Sequence, residues 1–310
     1  MRVLITGGAG YIGSILTERL LADGHAVTVL DSFIYGQTPL FHLCANPAFS
    51  CVRADARDEA CMKRLLATHD AIIPLAAIVG APACDRDPWT ATAVNFDAIR
   101  MLNRLRGTGQ MVVYPNTNSG YGTKGGSSYC TEESPLAPIS LYGVDKCRAE
   151  EELLAHPQSI TLRLATVFGA SPRMRTDLMV NDFVHQAVTQ GTLVIFEKNF
   201  KRNFVHVRDV AECFLFCLKN FDRLKGRPYN FGNDAINMTK EELALKVKAH
   251  VPSLFIHFSD IRSDPDKRDY IVSSERMRKA GLTAERSLDA GIAELLTAYR
   301  MLARSPYGNV

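Results

Sequence analysis

Short apolar runs alternate with longer segments of helical periodicity along the first half of the chain. Four of these runs are dominated by aliphatic residues, which is typical of strands that are buried on both faces of a sheet. They are residues 2–6, 26–30, 71–76 and 111–114. The segment between the first two, residues 11–22, carries leucine and isoleucine at helical spacing. Strands that alternate with helices in this way predict an α/β fold with a doubly wound parallel sheet.

The pattern changes after Gly169, where a polar, loop-like stretch interrupts the alternation. Residues 194–207 then predict a strand, a turn and a strand, and residues 207–221 predict an apolar helix that returns to the sheet. The other elements predicted around them are a helix at 141–155, a strand at 160–167 and helices around 180–190, 239–250 and 284–303. We therefore predict two lobes, one of residues 1–170 with 204–232 and a smaller one of residues 171–203 with 233–310.

The chain has 310 residues, of which 46% are hydrophobic and 22% are charged, as in an ordinary globular protein. Its net charge of +3 indicates neither nucleic acid nor a membrane as a partner. No apolar run approaches the ~20 residues of a membrane span, and the N-terminus lacks the features of a signal peptide. The eight cysteines are scattered without a CxxC pair, which argues against a zinc site. We therefore expect a cytoplasmic protein without a bound metal.

A glycine-rich segment, GGAGYIG, directly follows the first predicted strand and opens the first predicted helix. It satisfies the spacing G-x-x-G-x-x-G at Gly7, Gly10 and Gly13. Such glycines permit a tight turn and let the backbone approach a pyrophosphate, which the N–H groups and the dipole of the helix N-terminus then bind. We predict a dinucleotide site that includes these three glycines together with Tyr11 and Ile12.

Two acidic residues after the next apolar stretches are candidates for the adenosine end of that dinucleotide. Asp31 ends the second predicted strand, where a carboxylate accepts hydrogen bonds from the adenosine ribose. Ser32 and Phe33 follow it, so a 2′-phosphate would meet an anion with no compensating cation nearby. The sequence therefore predicts NAD rather than NADP. Asp55 and Ala56 are predicted to border the adenine.

A tyrosine and a lysine in the segment YGVDK are the candidate catalytic pair. Tyr142 and Lys146 are four residues apart and therefore lie on one face of the helix predicted there. A phenol with a pKa of about 10 is a poor base at neutral pH. A neighbouring ammonium and the positive nicotinamide of an oxidised cofactor would stabilise the phenolate, which could then take the proton of a substrate hydroxyl.

Several motifs recur in the same order and spacing in one known family. They are TGGAGYIGS, Asp31, the run Leu75, Ala76 and Ala77, Asn95, YGVDK and RNFVHVRDVA. On these motifs the chain resembles the extended short-chain dehydrogenase/reductase family, which contains NAD-dependent epimerases and dehydratases. The resemblance implies a Rossmann-type doubly wound parallel sheet that binds NAD, with the run at 75–77 at the cofactor. It also implies a smaller C-terminal α/β lobe that binds a nucleotide sugar, and a homodimer.

The resemblance also assigns roles to single residues. Thr117 fills the family's Ser/Thr position at the end of a strand, where its hydroxyl would orient the reacting sugar oxygen. Tyr142 would act as the base, and Lys146 would also hold the nicotinamide ribose. Arg202 and Arg268 would pair with the pyrophosphate of the substrate, which suits guanidinium groups. The other substrate contacts that we predict are Val79, Gly80, Cys84, Asn118, Ser119 and Asn181.

Longer segments around residues 114–146, 163–183 and 264–270 resemble a narrower branch of this family. Its enzymes oxidise the C4 hydroxyl of a GDP-linked manno-heptose to a ketone with NAD, which implies a GDP-sugar as the substrate. A nucleotide-sugar 4-epimerase with the same residues remains an alternative, and a non-catalytic NAD-binding regulatory protein is a second one. Dehydratases of the family carry Asp and Glu where this chain has Asn118 and Ser119, so we expect no loss of water.

Overall fold

The computed structural model describes residues 1–123, 129–259 and 269–302. In chain order its strands are β1 Arg2–Thr6, β2 Ala26–Asp31, β3 Phe49–Arg53, β4 Ala71–Pro74, β5 Met111–Thr117, β6 Tyr129–Cys130, β7 Ser159–Leu164, β8 Thr166–Phe168, β9 Thr192–Ile195, β10 Lys201–His206, β11 Arg227–Phe231, β12 Asn233–Thr239, β13 Phe255–Phe258 and β14 Ile271–Val272. Its helices are α1 Tyr11–Ala22, α2 Glu59–Leu66, α3 Ala81–Arg86, α4 Pro88–Thr92, α5 Ala98–Leu105, α6 Leu141–Leu154, α7 Met179–Thr189, α8 Val207–Lys219, α9 Phe221–Leu224, α10 Lys240–His250, α11 Glu275–Lys279 and α12 Leu288–Tyr299. A π-helical segment, Ala93–Asp97, joins α4 to α5, and Asn118–Tyr121 form a 3-10 turn after β5.

Among the described residues, seven parallel strands form the main sheet in the order β11-β7-β5-β4-β1-β2-β3. Strands β4 and β7 are buried along their whole length, as expected for a parallel sheet covered on both faces. The strand order reverses between β1 and β4, and ligands of such sheets bind in the crevice outside the carboxyl ends at that point. The predicted Rossmann-type doubly wound α/β fold is confirmed.

The apolar run at 160–167 is divided between two sheets, whereas we expected one strand. β7 belongs to the main sheet, and β8 pairs with β10 in a smaller sheet that also contains β12. The chain changes sheets at Ala165, whose N–H still donates to the carbonyl of Phe231 at 2.9 Å. An apolar run reports burial but not the sheet in which each residue is buried, so the sequence pattern did not reveal this break.

The strands predicted within 194–207 are present as β9 and β10, but they do not form a hairpin. β9 pairs in parallel with β13, and β10 pairs with β8 and β12. The helix that comes next, α8, packs against α1 beneath the main sheet, where Arg19 Nε donates to Glu212 Oε1 at 2.7 Å. β11 then adds the last strand beside β7. The boundaries of the two predicted lobes stay a prediction, although β10 itself lies in the smaller sheet.

Candidate active site

The glycine-rich segment forms the turn between β1 and α1. Gly7 has a positive φ of 71°, and a Cβ at this position would lie 2.5 Å from the Ala76 nitrogen. Apart from the adjoining residues of the chain, the one described atom within 4 Å of a Cβ built on Gly10 is the Gly7 carbonyl oxygen, so this side of the turn is open. No described side chain caps α1 at Gly10, which leaves N–H groups of its first turn for an anion. The segment therefore fits the pyrophosphate of a dinucleotide.

Asp31 lies directly beside this turn and is fixed by two backbone N–H groups. Its Oδ2 accepts from the Ala9 nitrogen at 3.0 Å, and its Oδ1 accepts from the Phe33 nitrogen at 2.8 Å. Burial raises the pKa of the Asp31 carboxyl, and the two backbone hydrogen bonds oppose that rise. The carboxylate is thus held at the end of β2, where the ribose of an adenosine is bound in folds of this type.

The run after β4 reaches the same turn, since the Leu75 nitrogen donates to the Thr6 carbonyl at 2.8 Å. The structure therefore brings together the glycines, Asp31 and the predicted contacts Leu75, Ala76 and Ala77.

Two other predicted cofactor residues have partners of their own. Asp55 binds Arg57, with Nη2 and Oδ2 2.7 Å apart, and this hydrogen bond lowers the pKa of the Asp55 carboxyl. The Tyr11 hydroxyl is buried and donates to the Gly169 carbonyl at 2.7 Å. Ile12 and Ala56 are half-buried beside them. The side chains of Asp55 and Tyr11 are therefore already bound within the protein, and their contacts with a cofactor stay predictions.

The candidate catalytic pair lies at the start of α6. Ser140 caps this helix, because its Oγ accepts from the Gly143 nitrogen at 3.2 Å. Tyr142 is half-buried in the first turn, and Lys146 is almost fully buried one turn later. The Lys146 Nζ lies 3.9 Å from the centroid of the Tyr114 ring. Burial lowers the pKa of Lys146 to about 7, because the charged ammonium has lost water.

Thr117 ends β5, and its hydroxyl is oriented by the residues that come after it. Its Oγ1 donates to the Ser119 Oγ at 2.9 Å and accepts from the Ser119 nitrogen at 3.1 Å. Asn118, between them, is 1% exposed, and neither its amide nitrogen nor its amide oxygen has a hydrogen-bond partner among the described residues. A buried polar group without a partner costs about 1–3 kcal/mol, so this amide is a candidate for binding a ligand.

Two glycines hold the 3-10 turn Asn118–Tyr121 against the first turns of α6. A Cβ at Gly143 would lie 3.6 Å from the Ser119 carbonyl oxygen, and a Cβ at Gly120 would lie 2.8 Å from the Cys147 Sγ. Because glycine permits this close approach, Thr117 at the end of β5 and Tyr142 at the start of α6 belong to one small region. The strand end that carries Thr117 and the helix that carries Tyr142 and Lys146 therefore lie against each other, and the catalytic triad stays a prediction.

A buried ion pair that the sequence analysis missed lies below this region. Glu150, one turn beyond Lys146 on α6, accepts from Arg163 on β7, with Nη2 and Oε1 2.7 Å apart. The same carboxylate accepts from Asn116 Nδ2 at 2.7 Å and from Thr161 Oγ1 at 2.8 Å. Asn116 also accepts from the Thr117 nitrogen at 2.7 Å. Through Asn116, the ion pair is thus hydrogen-bonded to the strand end that carries Thr117, the candidate catalytic threonine.

One signal in the sequence could have revealed this ion pair. Arg163 is a charged residue inside the apolar run ITLRLATV, and a charge at such a position needs a buried partner. Glu150 continues the face of α6 that carries Tyr142 and Lys146. Tyr114 was missed for a different reason, because an aromatic residue in the apolar run MVVYPNT reads as ordinary core.

The predicted sugar loop after β4 is organised by Asn95 in the π-helical segment. Its Oδ1 accepts from the Ile78 nitrogen and its Nδ2 donates to the Ile78 carbonyl, both at 2.9 Å. Gly80 has a positive φ of 93°, and Val79 precedes it half-buried. Cys84 is fully buried and its thiol donates to the Ile78 carbonyl. The thiol therefore faces the protein, and direct contact of Cys84 with a sugar stays a prediction that its burial argues against.

Two of the three predicted phosphate contacts are buried side chains that have partners within the protein. Asn181 is fully buried, and its amide binds the Gly169 nitrogen at 3.0 Å and the Arg175 carbonyl at 2.8 Å. Arg202 on β10 is 1% exposed and donates to the carbonyl of its neighbour Lys201. These internal bonds argue against a direct role of Asn181, and both assignments stay predictions. Arg268 lies outside the described residues.

None of the helices in the described ranges combines the length and the apolar character needed to span a membrane. Within the same part of the chain, no group of three or more His, Cys, Asp or Glu side chains could hold a metal ion.

The chain is similar in sequence and in fold to known proteins. Residues 3–232 match the model of a protein family that is described as "NAD dependent epimerase/dehydratase family". The chain is 33% identical to an "uncharacterized UDP-glucose epimerase YtcB" from Bacillus subtilis (strain 168), over 84% of this chain and 85% of the relative. It is 28% identical to a dTDP-glucose 4,6-dehydratase from Actinoplanes, over 97% and 98% of the two chains. Among solved structures, DesIV, a dTDP-glucose 4,6-dehydratase from Streptomyces venezuelae with NAD and TYD bound, superimposes with a TM-score of 0.83 at 27% identity, over 97% and 98% of the chains.

The buried ion pair generates a prediction about stability. Arg163→Met leaves the Glu150 carboxylate buried without its counter-charge, and we expect a loss of about 3–5 kcal/mol in the free energy of unfolding. The double variant Glu150→Met/Arg163→Met removes both charges and should be less destabilised than the sum of the two single variants. Urea unfolding of the four proteins measures this coupling. Additive losses would show that the two charges do not stabilise each other.

The buried lysine generates a prediction about pH. Its pKa is lowered in the folded protein, so between pH 7 and 10 the unfolded chain binds more protons and the free energy of unfolding rises with pH. For the nucleotide-free protein we expect the stability difference between wild type and Lys146→Met to shift by about 2 kcal/mol in favour of wild type from pH 7 to pH 9. Denaturant unfolding at both pH values measures it, with Lys63→Met, an exposed lysine of α2, as the control. A difference that does not change with pH would contradict the assigned burial of the charge.

Proposed function

Because the chain belongs to the NAD dependent epimerase/dehydratase family, whose cofactor is NAD, we propose that it oxidises the C4 hydroxyl of a nucleotide-linked sugar to a 4-keto sugar. The observation that supports this proposal is that the end of β5, which carries Thr117, lies against the first turns of α6, which carry Tyr142 and Lys146. The sugar loses two hydrogen atoms in this oxidation, and no further chemical step is needed to form the product. The substrate that we propose is a GDP-linked manno-heptose, on the narrower resemblance of the sequence.

Each member of the triad has a distinct role in this proposal. The Thr117 hydroxyl, which accepts from the Ser119 nitrogen, transfers its hydrogen bond from the Ser119 Oγ to the C4 oxygen when the sugar binds and so orients it. The Tyr142 phenolate takes the proton of the C4 hydroxyl, and Lys146 lowers the cost of the phenolate by its charge. When NAD is bound against Gly7, Gly10 and Asp31, it supplies the acceptor for the second hydrogen of C4, together with its electron pair.

The proposal excludes dehydration because of the residues beside Thr117. Elimination of water from the sugar needs an acid for the departing hydroxyl and a base for the neighbouring carbon. Asn118 is an amide, which has neither function near neutral pH, and Ser119 is a hydroxyl that already binds Thr117. The buried Asn118 amide instead offers one acceptor and two donors to a sugar hydroxyl.

A second candidate function is a nucleotide-sugar 4-epimerase. It uses the same triad for the first oxidation and then reduces the ketone from its other face. The relative named a UDP-glucose epimerase, 33% identical to this chain, favours it. The two functions differ in whether the keto sugar is released or rotates within the site. A non-catalytic NAD-binding regulatory protein is disfavoured, because such a protein has no chemical need for all three members of the triad.

The role of Tyr142 gives the first test. Tyr142→Phe keeps the ring and removes the proton acceptor, so we expect turnover to fall by about 10²–10⁴-fold while NAD and the nucleotide sugar still bind. Tyr229→Phe is the matched control, because its hydroxyl contacts only the Leu224 carbonyl among the described residues, at the far edge of the main sheet. Initial rates and calorimetric binding separate the two effects. Activity of Tyr142→Phe near that of wild type would remove this residue from the mechanism.

The product gives the second test. Incubation with a panel of GDP-, UDP-, CDP- and dTDP-linked sugars should yield a 4-keto sugar nucleotide that has lost two hydrogen atoms, with the GDP-linked manno-heptose as the best substrate. Mass spectrometry and NMR identify it. An unchanged mass with inverted C4 would establish the epimerase instead. Stoichiometric loss of water would overturn the exclusion of dehydration and require a carboxylate outside Asn118 and Ser119.

A further inference from the structure

The loop between β8 and α7 lies against the glycine turn, although it comes from a distant part of the chain. Ser171 Oγ donates to the Tyr11 carbonyl at 2.7 Å and lies 2.9 Å from Ser14 Oγ. The Tyr11 hydroxyl in turn donates to the Gly169 carbonyl at the start of this loop. These bonds fix the loop to the first turn of α1, which is the end of the helix that faces the cofactor cradle.

Arg173, two residues after Ser171, extends from this loop towards the loop that comes after β2. It is only 2% exposed, and its Cζ lies 4.1 Å from the centroid of the Tyr35 ring. Tyr35 lies in the loop that Asp31 opens. Burial raises the pKa of Asp31 and lowers the pKa of Arg173, and the charge of each group opposes the shift of the other. The guanidinium therefore lies against the loop that begins at Asp31, the carboxylate predicted to bind the adenosine ribose.

This arrangement corrects an expectation from the sequence. No arginine or lysine comes directly after Asp31, and we expected no cation near a 2′-phosphate. In the structure, Arg173 comes from a distant segment and contacts Tyr35, four residues after Asp31, so a cation lies against this loop.

We propose that the Arg173 guanidinium is able to bind a phosphate group and that the charge of Asp31 prevents this in the wild type. The balance of these two charges then determines whether NAD or NADP binds more tightly. A guanidinium presents a planar fork of donors that matches phosphate oxygens, and a buried one binds more strongly than an exposed one. In the wild type the Asp31 carboxylate compensates this charge and repels a second anion. Removal of the carboxylate's charge leaves the charge of the buried guanidinium less compensated, and the 2′-phosphate of NADP can compensate it instead.

The proposal does not depend on the reaction, only on the cofactor, and is tested by binding. Nucleotide-free wild type, Asp31→Asn and Asp31→Asn/Arg173→Met are titrated with NAD and NADP in a calorimeter. We expect wild type to prefer NAD, Asp31→Asn to bind NADP at least about tenfold more tightly than wild type does, and the double variant to lose this gain. The affinity of the double variant for NAD should remain within about threefold of that of Asp31→Asn, because NAD has no group for the guanidinium.

Two further variants separate a phosphate contact from a merely structural role. Asp31→Asn/Arg175→Met removes a neighbouring guanidinium that pairs with Asp177 and should keep the full gain for NADP. Asp31→Asn/Arg173→Lys keeps the charge without the fork and should keep part of the gain, which also gives a result if the methionine variant does not fold. A gain for NADP that survives the loss of Arg173, or an equal loss of NAD and NADP affinity in the double variant, would overturn the proposal.

Discussion

Two full charges, those of Glu150 and Arg163, meet in the interior of the protein beneath the candidate active site. Taking them out of water is costly, and their attraction offsets that cost only where the remaining hydrogen-bonding positions are filled. Asn116 and Thr161 fill two positions of the carboxylate, and Tyr121 accepts from Arg163 Nη1 at 3.0 Å. The requirement to keep all these bonds fixes α6 relative to β5 and β7. It also sets the geometry of the triad, because Thr117 and Lys146 are attached to the two elements that this carboxylate joins.

The same low-polarity interior acts on Lys146. Its ammonium has lost its water and is compensated by the face of the Tyr114 ring and by the more distant charge of Glu150. A lysine in such surroundings gains more from an added anion than an exposed lysine does, because the attraction is not screened by solvent. A phenolate at Tyr142 is an anion of this kind. In the proposed reaction, the burial that disfavours the charge of Lys146 in the nucleotide-free protein would therefore strengthen its effect on the Tyr142 phenolate.

The parts of the site that could be predicted from the sequence are those encoded by short-range spacing. The glycine turn, Asp31 at the end of β2 and the pair Tyr142 and Lys146 each lie within one element or one connection. The parts that could not be predicted depend on which distant segments meet. Glu150 pairs with Arg163 across two elements, and Arg173 contacts Tyr35 from a loop that no local pattern connects to β2. The break between β7 and β8 has the same cause.

The two proposed functions share one reaction step, the oxidation at C4, and differ in what happens to the ketone afterwards. The proposed oxidation at C4 uses Thr117, Tyr142 and Lys146, which lie on the elements that the buried ion pair joins, together with NAD at the glycine turn. The fate of the ketone after this oxidation depends on groups near the rest of the sugar, which lie on the turn after β5. In this chain that turn offers an amide at Asn118, which binds hydroxyls but transfers no proton, and a serine engaged with Thr117. A ketone formed beside such groups meets no catalyst for a further elimination. It can only leave or be reduced again, and the two functions proposed for the chain are these two outcomes of one common step.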